Sequence, residues 1–227
     1  AGTVEFLLAP DGEFYFLEVN TRLQVEHPVT EMVTRVDLVH EQLRVAAGDS
    51  LTMSQDDVVL RGHAVEVRLY AEDPQRDFAP SPGTIRHLFE PQLAGLRIDS
   101  GVRPGQAIPV NYDPILAKII AWAPDREGAI ARLSHGLREY SLLGLTTNQS
   151  YLRHLIEHPA FRAGDLSTGF IAEHFADHEA AAPGLYEAAL AATLRSSEMG
   201  AKGCVESADG GRPVDPWETL DGWRMTR

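Results

Sequence analysis

Five polar side chains occupy alternate positions along the segment from Phe16 to Pro28, with mostly apolar residues between them. In an extended chain, alternate residues face the same side, so these five would form one polar row while their neighbours face a core. A fully extended row of this length would span about 26 Å, which is too long for one small site. We therefore predict that the strand ends near Asn20 and that the rest of the segment curls over it. The row consists of Glu18, Asn20, Arg22, Gln24 and Glu26.

A second carboxylate is expected beside this row, because the residues before it favour a β-hairpin closed at Asp11-Gly12. A two-residue turn would place Glu5 opposite Glu18. A four-residue loop would place Glu5 opposite Phe16, with Glu18 on the same face. Facing carboxylates repel each other unless a cation lies between them. Two carboxylates and a nearby amide oxygen are hard ligands that suit Mg²⁺ or Mn²⁺. The competing interpretation is that the polar row is only the solvent-facing side of a strand.

Apolar periodicity and turn residues predict the elements that position these groups. Two strands make the hairpin, one helix follows it, and residues 49–60 form a polar connection. Short strands separated by Pro and Gly turns come next, and Asp125 is predicted to cap a helix that continues to about Tyr140. The remaining predicted elements are the hairpin strands Val4–Leu8 and Phe14–Val19, the helix Val29–Ala47, the strands His63–Tyr70, Thr84–Leu88, Leu96–Asp99 and Ile115–Trp122, and helices over residues 148–157 and 168–177.

Composition limits the class of protein. The 227 residues suffice for one large domain or two small ones. The net charge of −13 argues against nucleic acid or an anionic membrane as the main partner. A single cysteine, Cys204, excludes an internal disulfide framework and a multi-cysteine metal site, which fits a reducing compartment such as the cytoplasm or an organelle matrix. No apolar run approaches the ~18 residues of a membrane span.

Several long motifs occur in an order that closely resembles the biotin carboxylases, a family within the ATP-grasp superfamily. The resemblance extends over about residues 1–178. It implies an α+β fold in which the C-terminal edge of an ATP-grasp domain precedes a strand-rich biotin carboxylase C-terminal domain with packed helices. The motifs cover residues 16–31, 61–68, 71–74, 80–83 and 112–118.

The resemblance also implies domain boundaries. Residues 1–48 would be the C-terminal part of the ATP-grasp domain, residues 49–60 a connection and residues 61–178 the biotin carboxylase C-terminal domain. Residues 179–227 resemble a linker and the beginning of the region that follows biotin carboxylase in multidomain α subunits. A few residues in this last segment favour the methylcrotonyl- or geranyl-CoA type over the acetyl- or propionyl-CoA type.

In this family, ATP phosphorylates bicarbonate to carboxyphosphate, which releases CO₂ to the ureido nitrogen of biotin. The resemblance implies that Glu5 and Glu18, assisted by Asn20, hold the divalent ions that bridge the ATP phosphates. Arg22 would clamp bicarbonate, because a guanidinium matches a planar oxyanion. The bicarbonate pocket would be completed by Gln24 and the backbone at Val25.

Five further roles follow from the resemblance. Glu26 would be the general base that deprotonates bicarbonate, and Arg68 would stabilise the enolate-like oxygen of biotin. Asp113 would lie near biotin, and Leu7 and Phe170 would line the adenine pocket.

Each of these roles has a competing interpretation from the residues alone. Arg68 could be a solvent-facing partner of Glu66, and Asp113 a simple turn aspartate before a proline. The apolar Leu7 and Phe170 could be core residues. His27, which precedes a proline, is predicted to be structural rather than catalytic.

The ATP-binding lysines and glycine-rich lid of the family lie upstream of the hairpin, so we expect this ATP-dependent ligase segment to show no turnover alone. The chain starts within a strand-like run, and we expect that sequence precedes it. The implied partners are a biotin carboxyl carrier domain, a carboxyltransferase subunit and a second copy of the biotin carboxylase unit. The implied location is the cytoplasm, or the mitochondrial matrix in a eukaryote.

Two rival functions stay open at this point. One is another carboxylating or carbamoylating ATP-grasp ligase, such as a carbamoyl-phosphate synthetase, which shares the Glu18–Arg22 motif. It would not be expected to carry the strand of Arg68 or the loop of Asp113. The other is a non-catalytic module that serves only dimerisation or carboxylase assembly. Binding of Mn²⁺ with ATP would favour an enzyme, whereas dimerisation without nucleotide binding would favour the assembly module.

Overall fold

The computed structural model describes residues 1–176, which begin with an antiparallel hairpin. Strand β1 covers Thr3–Leu8 and strand β2 covers Phe14–Asn20, so both predicted hairpin strands are confirmed. The loop that connects the two strands consists of residues 9–13. The second strand ends at Asn20, as the sequence predicts, and the chain curls away from the ladder beyond it.

The single helix predicted over Val29–Ala47 is wrong, because the chain forms two helices there. Helix α1 covers His27–Thr34 and α2 covers Leu38–Ala46. Arg35 ends α1 in a left-handed backbone conformation with φ 64°. Asp37 begins α2, and its side chain accepts a hydrogen bond from a backbone N–H in the first turn. Apolar spacing continues across the break, so periodicity alone predicts one helix.

The remaining described elements form a strand-rich unit with helices. Its strands are β3 (His63–Tyr70), β4 (Glu72–Asp73), β5 (Ala79–Pro80), β6 (Gly83–Thr84), β7 (His87–Phe89), β8 (Leu96–Ser100), β9 (Ala107–Ile108), β10 (Ile115–Ala123) and β11 (Ser141–Leu143). Its helices are α3 (Arg126–Glu139), α4 (Gln149–Glu157), α5 (Pro159–Ala163) and α6 (Phe170–His174).

Most predicted elements of this unit are confirmed, with one clear correction. The predicted strand Thr84–Leu88 is wrong, because β6 pairs with β9 whereas β7 pairs with β11. Asp125 caps α3 as expected, accepting from the backbone N–H of Gly128. The helix predicted over residues 168–177 is observed as the shorter α6, and α5 was not predicted.

Three antiparallel strands in the order β3-β10-β8 form the central sheet. Alternation gives this sheet two different faces. One face is apolar and packs against α3 to form the core. The opposite face is charged. The apolar face carries Val65, Val67, Leu69, Ile98, Ile119 and Ala121, and the charged face carries Glu66, Arg68, Arg97, Asp99 and Lys118.

The boundaries predicted for the domains stay predictions. Residues 179–227, predicted as a linker and the beginning of a further region, lie outside the described residues, as do the last two residues of the predicted domain 61–178. Within residues 1–176, no helix combines the length and the apolar character that a bilayer crossing requires.

Candidate functional site

Glu5 and Glu18 face each other across the hairpin because β2 carries one extra residue. Near the loop, Phe6 pairs with Phe16, so an unbroken ladder would set Glu5 opposite Leu17. The register shifts between Glu5 and Phe6, and Glu5 pairs with Glu18 instead. A β-bulge of this kind changes the direction in which a side chain points. The facing pair predicted for a two-residue turn is therefore present, although the loop has neither predicted length.

Two amide side chains hold these carboxylates together. The amide nitrogen of Asn20 donates to Oε1 of Glu5 at 2.7 Å and to Oε1 of Glu18 at 3.1 Å. The amide nitrogen of Gln24 donates to the same Glu5 oxygen at 2.7 Å. These side chains bring two carboxylates and two amides to one end of the hairpin.

The chemistry of this donor set fits a hard divalent cation. Carboxylate and amide oxygens are the ligands that Mg²⁺ and Mn²⁺ take from proteins. No group of three or more His, Cys, Asp or Glu side chains suited to a metal occurs within residues 1–176. A cation held by Glu5 and Glu18 would therefore complete its shell with water or phosphate oxygens, as Mg²⁺ usually does.

The curl over residues 21–26 is fixed from both sides. Nδ1 of His27 lies 2.8 Å from the backbone oxygen of Gln24, which agrees with a structural role for this histidine. Nζ of Lys118 donates to the backbone oxygen of Val25 at 3.0 Å, from a strand 93 residues further along the chain. The peptide that joins Val25 to Glu26 is thereby tied to the central sheet.

The two arginines of the site differ in their pairing. Arg22 is exposed, donates to the backbone oxygen of Leu23 at 3.2 Å, and forms no ion pair within residues 1–176. Arg68 donates from Nη2 to Oε2 of Glu26 at 2.6 Å. Glu26 is the last residue of the curl, whereas Arg68 lies on β3, so this ion pair joins the curl to the central sheet.

Glu66 lies two residues before Arg68 on the same face of β3. Both of its carboxylate oxygens are buried and accept no hydrogen bond within the described residues. Burial raises the pKa of Glu66 to about 7, against the positive charges of Lys118 and Arg68, and the negative charges of Glu26 and Asp99 add to the rise. Arg68 therefore pairs with Glu26 rather than with Glu66, the partner considered from the sequence.

A chain of ion pairs holds α1 against the charged face of the sheet. Arg97 donates to Glu31 at 2.7 Å and to Asp99 at 2.7 Å, and Lys118 lies 3.4 Å from Asp99. Burial would raise the pKa of Asp99, but the hydrogen bond and charge of Arg97, together with Lys118, hold it below its usual range. The sheet thus fixes the position of the curl that precedes α1.

Three predicted residues lie apart from this cluster. Asp113 is exposed, and its Oδ1 accepts from the backbone N–H of Ile115 at 3.0 Å, as a turn aspartate does. Leu7 is 51% exposed on the hairpin. Phe170 is 7% exposed and packs edge-on against His158. These contacts agree with the turn interpretation of Asp113 and the core interpretation of Phe170, and the roles near biotin and adenine stay predictions.

Sequence reasoning missed two residues that fix the site. Lys118 is a charged residue inside the otherwise apolar strand β10, and that contrast is the signal that could have indicated it. Asn148 is the first residue of the helix predicted over residues 148–157, and the sequence indicates no other role for it. Its buried side chain bonds the backbone of β3 beside Arg68, and no local pattern indicates a contact across 80 residues.

Comparison with known proteins agrees with this arrangement. A family model described as "Biotin carboxylase C-terminal domain" matches residues 66–173, and one described as "Carbamoyl-phosphate synthase L chain, ATP binding domain" matches residues 1–54. The α subunit of mitochondrial methylcrotonoyl-CoA carboxylase from Dictyostelium discoideum is 43% identical over 226 residues, which is 99% of this chain and 32% of the relative. The biotin carboxylase of Nostoc sp. is 52% identical over 173 residues, which is 76% of this chain and 39% of the relative.

A solved structure shares the fold. The biotin carboxylase domain of 2-oxoglutarate carboxylase from Hydrogenobacter thermophilus, a dimer in complex with MgADP, ADP and bicarbonate, superposes with a TM-score of 0.74. It is 43% identical, and the match covers 76% of this chain and 38% of that one. The present chain spans about a third of the length of the curated relatives it matches.

Proposed function

The chain belongs to the biotin carboxylase family, and on that premise we propose that it supplies the metal-binding edge, the bicarbonate pocket and the biotin-facing arginine of an ATP-dependent ligase that carboxylates biotin. The ion pair between Arg68 and Glu26 carries this proposal. It brings together two of the residues expected to do the chemistry, one from each of the two segments that the family models match. A fold that served only assembly would have no need to place these two groups together.

The metal pair has the task of neutralising phosphate charge. Glu5 and Glu18, which face each other in the ladder, would hold Mg²⁺ or Mn²⁺. Asn20 would present its amide oxygen after a half-turn about its terminal bond, since its nitrogen now bonds both carboxylates. A bound divalent cation supplies positive charge to the transferred phosphoryl group, which is the main requirement of such a step.

The curl has the task of holding bicarbonate. Arg22, exposed and without an ion-pair partner in the described chain, is free to take the anion through its guanidinium fork. Gln24 and the backbone at Val25 complete the pocket. The bonds from Lys118 to Val25 and from His27 to Gln24 set the curl before the anion arrives, which lowers the cost of ordering it.

Glu26 and Arg68 act one after the other. Glu26 accepts the proton of bicarbonate, and its carboxylate loses the charge that holds Arg68. The guanidinium is then available to the oxygen of biotin on which negative charge develops. Leu7 and Phe170 would line the adenine pocket and Asp113 would lie near biotin, as the resemblance implies.

The remaining parts of the reaction belong to other segments. We propose that the ATP-binding lysines and glycine-rich lid come from sequence that precedes residue 1, and that biotin arrives on a carrier domain for a partner carboxyltransferase. The alignment with the Dictyostelium α subunit covers 99% of the chain, whereas the alignment with the Nostoc biotin carboxylase covers 76%. This difference supports an α subunit of the methylcrotonyl-CoA type. It would act as a dimer in the cytoplasm or the mitochondrial matrix.

The proposal is tested by bicarbonate-dependent ATP hydrolysis stimulated by free biotin. The assay compares the 227-residue chain with the full-length protein encoded by its gene. We expect activity in the full-length protein, loss of it in Glu26→Gln, and none in the residues 1–227 alone. A full-length protein that dimerises but neither hydrolyses ATP nor binds Mn²⁺ with ATP would favour the assembly module instead.

A further inference from the structure

Asn148 is a buried side chain that bonds the backbone of the strand carrying Arg68. Its Oδ1 accepts from the backbone N–H of Tyr70 at 2.9 Å, and its Nδ2 donates to the backbone oxygen of Arg68 at 3.2 Å. Its own backbone N–H donates to the oxygen of Tyr70 at 3.2 Å. The residue is 5% exposed. The two side-chain bonds therefore fix the peptides on either side of Leu69, and the backbone bond fixes the peptide that follows Tyr70.

These bonds lie on the open edge of β3. The sheet order is β3-β10-β8, so β3 has a strand neighbour on one side only. Backbone groups two residues apart point to the same edge of a strand, so those of Arg68 and Tyr70 point away from β10 together. The Asn148 amide takes the place that a fourth strand would occupy, over this short stretch.

The other edge of β3 is irregular at the same level. Arg68 pairs with Lys118 and Leu69 with Ala117, but the register then shifts and Tyr70 pairs with Ile115. The pairing of β3 with β10 is therefore regular through Leu69 and irregular directly after it. The Asn148 bonds lie beside this irregularity, so they help to hold the backbone at the end of the strand.

We propose that Asn148 is a positioning residue for Arg68, an inference that rests on the proposed biotin carboxylase function. Arg68 is a long side chain with several rotatable bonds. Its guanidinium must move from Glu26 to the biotin oxygen and stop at the correct position. A displacement of about 1 Å in a group that stabilises a transition state can cost roughly 100-fold in rate. By fixing the backbone at Arg68, the Asn148 amide limits the positions that the guanidinium can occupy.

Two variants separate the bonds of this amide. Asn148→Asp keeps an oxygen for the N–H of Tyr70 but sets a carboxylate oxygen against the backbone oxygen of Arg68. Asn148→Ala removes both side-chain bonds. The neighbouring Gln149 is a matched control, because its amide nitrogen also donates to two backbone oxygens, those of Leu137 at 2.6 Å and Tyr140 at 2.7 Å. Both acceptors lie at the end of α3 rather than on β3.

The experiment measures biotin-dependent turnover and thermal stability of these variants in the full-length protein. We expect Asn148→Asp to lower kcat about 10- to 100-fold, with the KM for ATP unchanged. Gln149→Ala is expected to lower the melting temperature without a comparable loss of kcat. In an Arg68→Ala background, Asn148→Asp should change the residual kcat less than about 2-fold, because the residue it positions is gone. If Asn148→Ala does not fold, Asn148→Asp carries the comparison.

A second measurement does not depend on activity. Hydrogen exchange at the amide of Tyr70 should accelerate in Asn148→Ala and stay unchanged in Gln149→Ala. The inference is overturned if Asn148→Asp and Gln149→Ala lose turnover equally, or if Asn148→Asp costs as much without Arg68 as with it. A wild-type protein without biotin-dependent turnover would overturn the proposed function. An active wild type whose Asn148→Asp variant is equally active would overturn only the role given to Asn148.

Discussion

Arg68 and Glu26 form an ion pair of 2.6 Å between side chains that are 39% and 50% exposed. An ion pair with this exposure contributes only about 0–1 kcal/mol to folding, because water screens it. The pair is therefore a weak structural device. Its residues can exchange partners at little cost, which is what the base and the oxyanion-stabilising arginine proposed above need when substrate arrives.

The first prediction separates the catalytic role of Arg68 from its structural role. Arg68→Ala should lower biotin-dependent turnover about 100- to 1,000-fold, the usual cost of removing a group that stabilises developing negative charge. Its melting temperature should stay close to the wild-type value. Arg68→Lys keeps the charge but loses the guanidinium fork, so it should restore little activity. Wild-type turnover in Arg68→Ala would contradict the role given to this residue.

The second prediction concerns the metal pair. Glu18→Gln removes one charge from the facing carboxylates, so the affinity for Mn²⁺ in the presence of ADP should fall about ten-fold, or ~1.4 kcal/mol. Titration of the full-length protein followed by electron paramagnetic resonance of Mn²⁺ measures this change. Glu13→Gln, an exposed carboxylate at the hairpin loop, is the control and should bind Mn²⁺ like wild type. Equal affinities in the two variants would mean that the hairpin pair holds no cation.

The third prediction uses the raised pKa of Glu66. The folded protein keeps a proton on this carboxyl up to about pH 7, whereas the unfolded chain releases it near 4.5. Between about pH 4.5 and pH 7 the folded state therefore binds more protons than the unfolded chain. The free energy of unfolding decreases as the pH rises through this range. Glu66→Gln cannot titrate, so its melting temperature should exceed that of wild type by roughly 2–6 °C more at pH 8 than at pH 5.

Scanning calorimetry at both pH values measures this difference. Glu139→Gln, a change at an exposed position on α3, should follow wild type at both. A Glu66→Gln variant that keeps a constant offset from wild type between pH 5 and pH 8 would mean that Glu66 is ionised throughout, and that a partner outside residues 1–176 satisfies it.

The fourth prediction concerns the bond from Lys118 to the curl. Lys118→Met removes the ammonium of a side chain that is 14% exposed, bonds Val25 and lies beside Asp99, so the free energy of unfolding should fall by about 1–3 kcal/mol. The KM for bicarbonate should rise as well, because the pocket loses its anchor. Urea unfolding and steady-state kinetics measure the two effects.

A surface ion pair supplies the control for Lys118. Arg162→Met breaks the contact with Glu127, whose side chain is largely exposed, and should cost under about 1 kcal/mol without changing the KM for bicarbonate. If the two variants behave alike, the bond to Val25 has no special importance for the pocket.

Local signals in the sequence predict much of this molecule. Alternation indicates β3 with its observed bounds, and Asp125 indicates the start of α3. The polar row indicates the residues that are proposed to bind metal and bicarbonate. These features depend on residues that are close in the sequence, so local sequence patterns are enough to predict them.

Other features depend on contacts that no local pattern records. The break after α1 requires Arg35 in a left-handed conformation, which nothing in its neighbours indicates. The predicted strand Thr84–Leu88 is divided into β6 and β7 because each pairs with a strand elsewhere in the chain, β6 with β9 and β7 with β11. The bonds from Lys118 to Val25 and from Asn148 to β3 span 93 and 80 residues, so they exist only once the sheet has formed.

The bulge in β2 also bears on which changes of chain length the hairpin tolerates. Added or deleted residues within the loop at residues 9–13 leave the ladder beyond it unchanged, so Glu5 and Glu18 stay face to face. With the bulge kept, one residue inserted between Phe16 and Glu18 would move Glu18 one position past Glu5 and turn its carboxylate to the opposite side of the ribbon. Natural variation in length should therefore collect at the tip of the hairpin and be absent from the few residues around the bulge, even though both lie on the same exposed ribbon.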